Sequence, residues 1–216
     1  RGTSMPGAFA KVFMRHSATF GTTKEDLARV AVKNHHNGAR HPKAHFQREV
    51  TLEQVMNAPI VAWPLGLFDC CPVSDGAAAL ILCNSKLARN FRDDYVVVKG
   101  LGLSINTELS MYDPTYDFLS FPATTMAAKM AYDGAGIKEP AKEIDFAEVH
   151  DCFTITEIVD YEDLGFCKKG AGAAFIRDSR SSLEGDKPVN PSGGLKCFGH
   201  PIGATGCRML YEVTRQ

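Results

Sequence analysis

The chain has 216 residues, 44% of them hydrophobic and 23% charged, an ordinary globular composition with enough length to bury a sizeable core in one or two domains. A formal net charge of -1 carries no global bias towards nucleic acid, membrane surfaces or acidic substrates. No run of about 18 apolar residues occurs, so no membrane span is expected, and the opening Arg1-Gly2-Thr3-Ser4-Met5-Pro6 lacks the apolar core of a secretory signal.

Residues 7–56 read as helical and charged. Ala8, Val12 and Phe13 make one apolar stripe, and Leu27, Val30 and Ala31 make another after the acidic start Glu25-Asp26. Thr51 to Met56, with Pro59 beyond, predicts a short capped helix. Between Asp26 and Glu49 there is no acidic residue, while Arg29, Lys33, Arg40, Lys43 and Arg48 alternate with His35, His36, His41 and His45. A solvated basic face and an anion site are both open readings. A metal pair at His41 and His45 lacks an evident third ligand, so no metal is assigned.

Ser74-Asp75-Gly76-Ala77-Ala78-Ala79 passes into Leu80-Ile81-Leu82-Cys83, predicting a buried strand and then a short helical segment at Ser85–Arg89. Gly76 and the alanines allow another element to approach closely. Tyr95–Gly100 predicts a strand, Thr124–Tyr132 a helix ending at Gly134, Ile144–Val149 a strand and Thr154–Leu164 a helix ending at Gly165. That alternation implies a crossover-connected α/β unit. In such sheets chemistry gathers where strands end and helices begin.

His150-Asp151-Cys152-Phe153 occupies one such junction. A thiol at a helix start has its pKa lowered by the helix dipole, and an imidazole beside it can donate to a developing oxyanion. A packed cysteine with a capping aspartate is the competing reading. The stretch from Asn190-Pro191-Ser192-Gly193-Gly194 to Gly199-His200-Pro201-Ile202-Gly203-Ala204-Thr205-Gly206 holds five glycines, which call for positive φ or close backbone approach. Pro201 suits a first helical turn, and Gly203, Ala204 and Gly206 give that helix a small-residue face. His200 at a helix start is kept neutral, as a general base must be. The spacing lacks the Lys of a P-loop and the pattern of a dinucleotide fingerprint.

The Asn190-to-Gly206 motifs, in order after Ser74-Asp75-Gly76-Ala77-Ala78-Ala79, resemble the thiolase family. His150-Asp151-Cys152-Phe153 is similar to the sterol-carrier-protein type and its archaeal and bacterial relatives, where most thiolases carry Asn-Glu-Ala-Phe. The resemblance implies an α/β thiolase fold of two βαβαβαββ halves with an inserted loop domain. On that map 1–66 is a partial loop domain, 67–92 the end of the N-terminal half and 93–216 a C-terminal half without its last strands. The implied reaction is thiolytic cleavage of a 3-ketoacyl-CoA by coenzyme A, or the reverse Claisen condensation, with coenzyme A as substrate and no cofactor.

His200 would match the histidine that activates a nucleophilic cysteine, His150 a member of the oxyanion hole, and Cys152 the thiol moving the α-carbon proton. Cys71, Phe153 and Gly199 would line the substrate site, and Arg29 and Lys33 would face the coenzyme A phosphates. The family's nucleophile precedes the loop domain. The chain opens on Arg1 and stops at Gln216 inside a helical pattern, so a fragment is expected, inactive by itself. An acyl-CoA-binding or scaffolding protein without turnover is the alternative. A ketoacyl synthase ranks last, since those enzymes do without Cys152. The family habit implies a homodimer or tetramer, in the peroxisome or mitochondrial matrix of a eukaryote or the cytoplasm of a prokaryote. Seven cysteines, an odd count with no Cys-x-x-Cys spacing, fit free thiols in a reducing compartment.

Overall fold

A computed structural model describes residues 4–106 and 113–216. Helix α1 (Met5–Phe20) starts at Ser4, whose hydroxyl accepts from the Gly7 amide at 3.3 Å, and ends on Gly21 at φ 76°. Its predicted stripe of Ala8, Val12 and Phe13 is buried. Helix α2 (Lys24–Ala39) opens with a capping box in which Thr23 and Asp26 satisfy each other's backbone amides. Thr51 and Gln54 repeat the device ahead of α3 (Leu52–Met56).

Strands β1 (Ile60–Ala62) and β2 (Leu65–Gly66) then form a small antiparallel pair, with Ile60 opposite Gly66 and Ala62 opposite Leu65. A 3₁₀ turn, Leu67–Asp69, follows. Helices α4 (Ser85–Ala88), α5 (Pro122–Ala135), α6 (Pro140–Glu143), α7 (Thr154–Asp163), α8 (Gly172–Arg177), α9 (Gly194–Phe198) and α10 (Ile202–Arg215) complete the order.

The core lies between α1, α2, α7 and α8. Leu27 and Val30 of α2 meet Ile155, Ile158, Val159 and Tyr161 of α7, all fully buried. Burying side chains of this size stabilises by roughly 1.5–3 kcal/mol each before chain entropy is counted. Every residue of α7 from Thr154 to Glu162 is buried, so its polar groups must find partners inside the protein.

The predicted strands did not become ladders. Residues 73–84 and 95–106 form neither helix nor strand, and among the described residues neither segment pairs with a neighbour. Ile81 and Ile105 are 95% and 84% exposed. An apolar run of this kind needs a strand on each side to satisfy its amides, and among the described residues none is offered. Ile144–Val149 makes a single parallel bridge, Ala147 to Val189, which nevertheless holds His150 beside the Asn190 loop.

Helix α5 also runs past its predicted stop. Gly134 is helical, and the left-handed cap is Gly136 at φ 77°. A side chain at Gly134 would approach the Gly100 backbone, and side chains at Gly100 and Gly102 would strike the carbonyls of Ala131 and Ala127. These glycines let the 95–106 segment lie directly on α5.

Candidate active site

Helix α7 begins at Thr154, so the segment 150–153 enters it from the bridge at Ala147. Helix α9 ends at Gly199, and α10 begins at Ile202. His150 and His200 therefore project from two helix-flanking turns, and their rings meet edge to face, 4.7 Å between centroids and 82° between planes. An open groove lined by Ser74, Asp75, Gly76, His200 and Pro201 runs beside them.

Gly76 is needed there, because a Cβ would sit 2.8 Å from the Pro201 ring. Gly199, at φ 77°, would strike the Ser74 side chain if it carried one. Gly203 and Gly206, by contrast, have nothing within 4 Å, so the small face expected on α10 meets no neighbour among the described residues.

The tautomer of His200 follows from its partners. Thr205 Oγ1 donates to the Pro201 carbonyl at 3.1 Å and must therefore accept from His200 Nδ1–H at 2.7 Å. Nε2 is left with a lone pair. Burial holds the His200 pKa below its ordinary value. His150 keeps an exposed edge, yet burial of its other faces, followed by the nearby His200, Arg208 and Lys196, pushes its pKa down to about 4. Both rings are neutral near pH 7.

Cys152 corrects the expected helix-dipole effect. The thiol is 7% exposed, its Sγ lies 3.6 Å from Thr156 Oγ1, and burial drives its pKa up to about 12. Desolvation outweighs the dipole, which falls off within the first turn. The resting group is a thiol that holds a proton. Asp151 does not cap α7. Its carboxylate instead accepts from the Leu195 and Lys196 amides of α9 at 2.6 and 3.3 Å, and from Asn34 Nδ2 at 2.9 Å.

The remaining sequence-assigned residues divide. Cys71 is half-buried opposite Cys152, donating its amide to the Cys152 carbonyl at 2.8 Å. Phe153 is buried and stacks on Phe9, 4.5 Å between centroids, so it walls the core rather than an open channel. Arg29 is exposed and paired with Glu25 one turn earlier at 2.6 Å.

Lys33 corrects the phosphate assignment. It is 7% exposed, and its ammonium is committed to Glu157 Oε1 and the Val189 carbonyl, each at 2.5 Å. Much of the basic stretch is used in the same way, with Arg40 on Glu49 and His41 on Glu212. Sequence reasoning missed Thr205, Asn34 and Lys196. The only signal for Thr205 was a hydroxyl five residues beyond a histidine at a helix start.

Comparison with known proteins places the chain in a family. The family described as "Thiolase C-terminal domain-like" matches residues 106–216. An acetyl-CoA acetyltransferase of Methanothermobacter thermautotrophicus is 46% identical over 216 residues, covering 100% of this chain and 55% of that protein. Sterol carrier protein 2 of Bos taurus is 33% identical, covering 96% of this chain and 38% of that protein. The chain thus spans about half, or less, of the length of the curated relatives it matches. Among solved structures, an Ltp2-ChsH2(DUF35) aldolase superposes with a TM-score of 0.85 at 26% identity, over 96% of this chain and 54% of that one.

Proposed function

Because the chain belongs to the thiolase family, we propose that its centre works in acyl transfer to and from coenzyme A: thiolysis of a 3-ketoacyl-CoA, or the reverse Claisen condensation. The observation that carries this reading is the edge-to-face pair of neutral histidines, His150 and His200, with the buried thiol of Cys152 two residues beyond His150 in the same turn.

In thiolysis a cysteine from the first half of the fold attacks the 3-keto carbon. His200 Nε2, free because Nδ1 is spent on Thr205, takes the proton from that cysteine. Negative charge grows on the thioester oxygen as the C2–C3 bond breaks, and a neutral imidazole N–H of His150 is a suitable donor to it. The Cys152 thiol then delivers its proton to C2, releasing acetyl-CoA. Coenzyme A then attacks the acyl-enzyme, its thiol proton passing to the Cys152 thiolate, while the His200 imidazolium returns its proton to the departing nucleophile.

Cys152 suits that last step because it stays protonated until a strong base such as an enolate forms beside it. Arg29, with its exposed guanidinium, is the remaining phosphate contact from the original set. A homodimer or tetramer is proposed for the whole protein. Among the described residues no helix is long and apolar enough to cross a membrane.

One observation favours a second reading, an acyl-CoA-holding scaffold without turnover. The Cys152 thiol, two residues along the chain from His150, is buried and protonated, so it is not itself a ready thiolate. The full-length protein given acetoacetyl-CoA and coenzyme A decides between them. Formation of acetyl-CoA supports acyl transfer, whereas saturable binding without product supports the scaffold.

A further inference from the structure

Two catalytic turns, distant in sequence, must hold their side chains to well within about 1 Å of a productive geometry for either histidine to act with Cys152. The backbone offers little help. The Ile144–Val149 segment has one bridge rather than a ladder, and α9, which delivers His200, has five residues and a glycine at its N-cap with no side chain to cap it.

The missing restraint comes from Asp151, which lies between the two proposed catalytic residues of its own turn. Its Oδ1 accepts the Leu195 amide at 2.6 Å, and its Oδ2 accepts the Lys196 amide at 3.3 Å and Asn34 Nδ2 at 2.9 Å. Gly194, at φ 60°, has no side chain to stand in the way: a Cβ there would lie 2.5 Å from both carboxylate oxygens. The tie is reciprocated. Lys196 Nζ reaches back to the Asp69 carbonyl at 2.6 Å and the Cys152 carbonyl at 3.4 Å. Asn190 Oδ1 accepts the Val149 amide at 2.9 Å, from the residue before His150. Asn34 also bonds Glu157 Oε2 at 2.8 Å, so the junction is anchored to α2 and α7 at once.

We infer that Asp151 is a positioning residue for the proposed acyl transfer, holding the His150–Cys152 turn in register with the helix that delivers His200. It is fully buried, and both its oxygens are engaged by Leu195, Lys196 and Asn34, which suits it to positioning rather than to contact with substrate. The inference rests on the acyl-transfer reading for its kinetic half and on the geometry alone for its structural half.

The test is Asp151→Asn in the full-length protein, which keeps the shape but turns one acceptor oxygen into an amide donor facing other donors. The expected result is unchanged far-ultraviolet circular dichroism, displaced Cε1–H resonances of His150 and His200, and a fall in kcat on the order of 10²-fold at unchanged KM for acetoacetyl-CoA. A folded variant whose histidine resonances do not move overturns the inference, and so does one whose resonances move while kcat stays at the wild-type value.

If wild type forms no product, the acyl-transfer reading fails, and the histidine resonances still decide whether Asp151 sets the ring geometry. If Asp151→Asn does not fold, Asn34→Ser replaces it. That variant removes one of the three donors, and a smaller displacement of the same resonances is expected. No displacement there overturns the inference.

Discussion

His200 donates through Nδ1 to Thr205, whose own proton goes to the Pro201 carbonyl, so a hydroxyl on α10 determines which nitrogen is basic. Thr205→Val removes that choice and should cost part of the roughly 10²–10⁴-fold that a positioned general base supplies. Steady-state kinetics with unaltered coenzyme A affinity would show it. The pH profile carries a sign as well. Burial lowers the His200 pKa, so the base form persists as pH falls through the ordinary value of about 6.5. The acid limb of kcat/KM should therefore lie below that value, and a limb centred at or above it would contradict the assignment. Cys152 carries the reverse lesson. Its position at a helix start suggested a low pKa, but the thiol is buried and protonated at rest, which makes it the proton donor of thiolysis and, once deprotonated, the base that takes the α-proton in the reverse direction. Burial is a tertiary quantity, and a motif does not disclose it.

Helices α2 and α7 are joined by charge as well as by Leu27, Val30, Ile155 and Ile158. Lys33 meets Glu157, which also accepts from Asn34, Asn190 and Tyr161. Lys33→Met leaves that buried carboxylate without its cation and should destabilise by about 3–5 kcal/mol, read by chemical denaturation, with coenzyme A affinity unchanged. A loss of affinity without loss of stability would restore the phosphate role. The helices themselves were legible from sequence, because α1, α2, α5 and α7 each carry a 3.6-residue apolar period with a cap or a glycine at its end. The capping Thr51 and the junction at His150 were visible for the same reason. Lys33 was not, since one lysine in a basic run looks like its neighbours until the facing helix supplies Glu157. Gly134 misled for a related reason, being a packing glycine against Gly100 rather than a stop.

Across the whole molecule, the thiolase family was readable because several short motifs occur in order, whereas the sheet was not realised as ladders. Val96, Val97, Val98 and Leu101 have strand-forming side chains, but strand pairing is a property of neighbours, and among the described residues 95–106 has none. In the 216-residue chain, amides of 76–83 and 95–104 should exchange with solvent near their intrinsic rates, while those of α2 and α7 stay protected, as hydrogen-exchange mass spectrometry can resolve. Protection of 95–104 equal to that of α7 would mean a ladder forms there after all. The central claim is that His150, Cys152 and His200 act as one acid–base centre on the α-carbon of a thioester. Wash-in of solvent deuterium at the methyl group of acetyl-CoA, followed by mass spectrometry with the full-length protein, tests it most directly. Exchange by the wild type that falls at least about 10²-fold in Cys152→Ser, with acetyl-CoA still bound, is the predicted result, and equal exchange rates in the two proteins would contradict it.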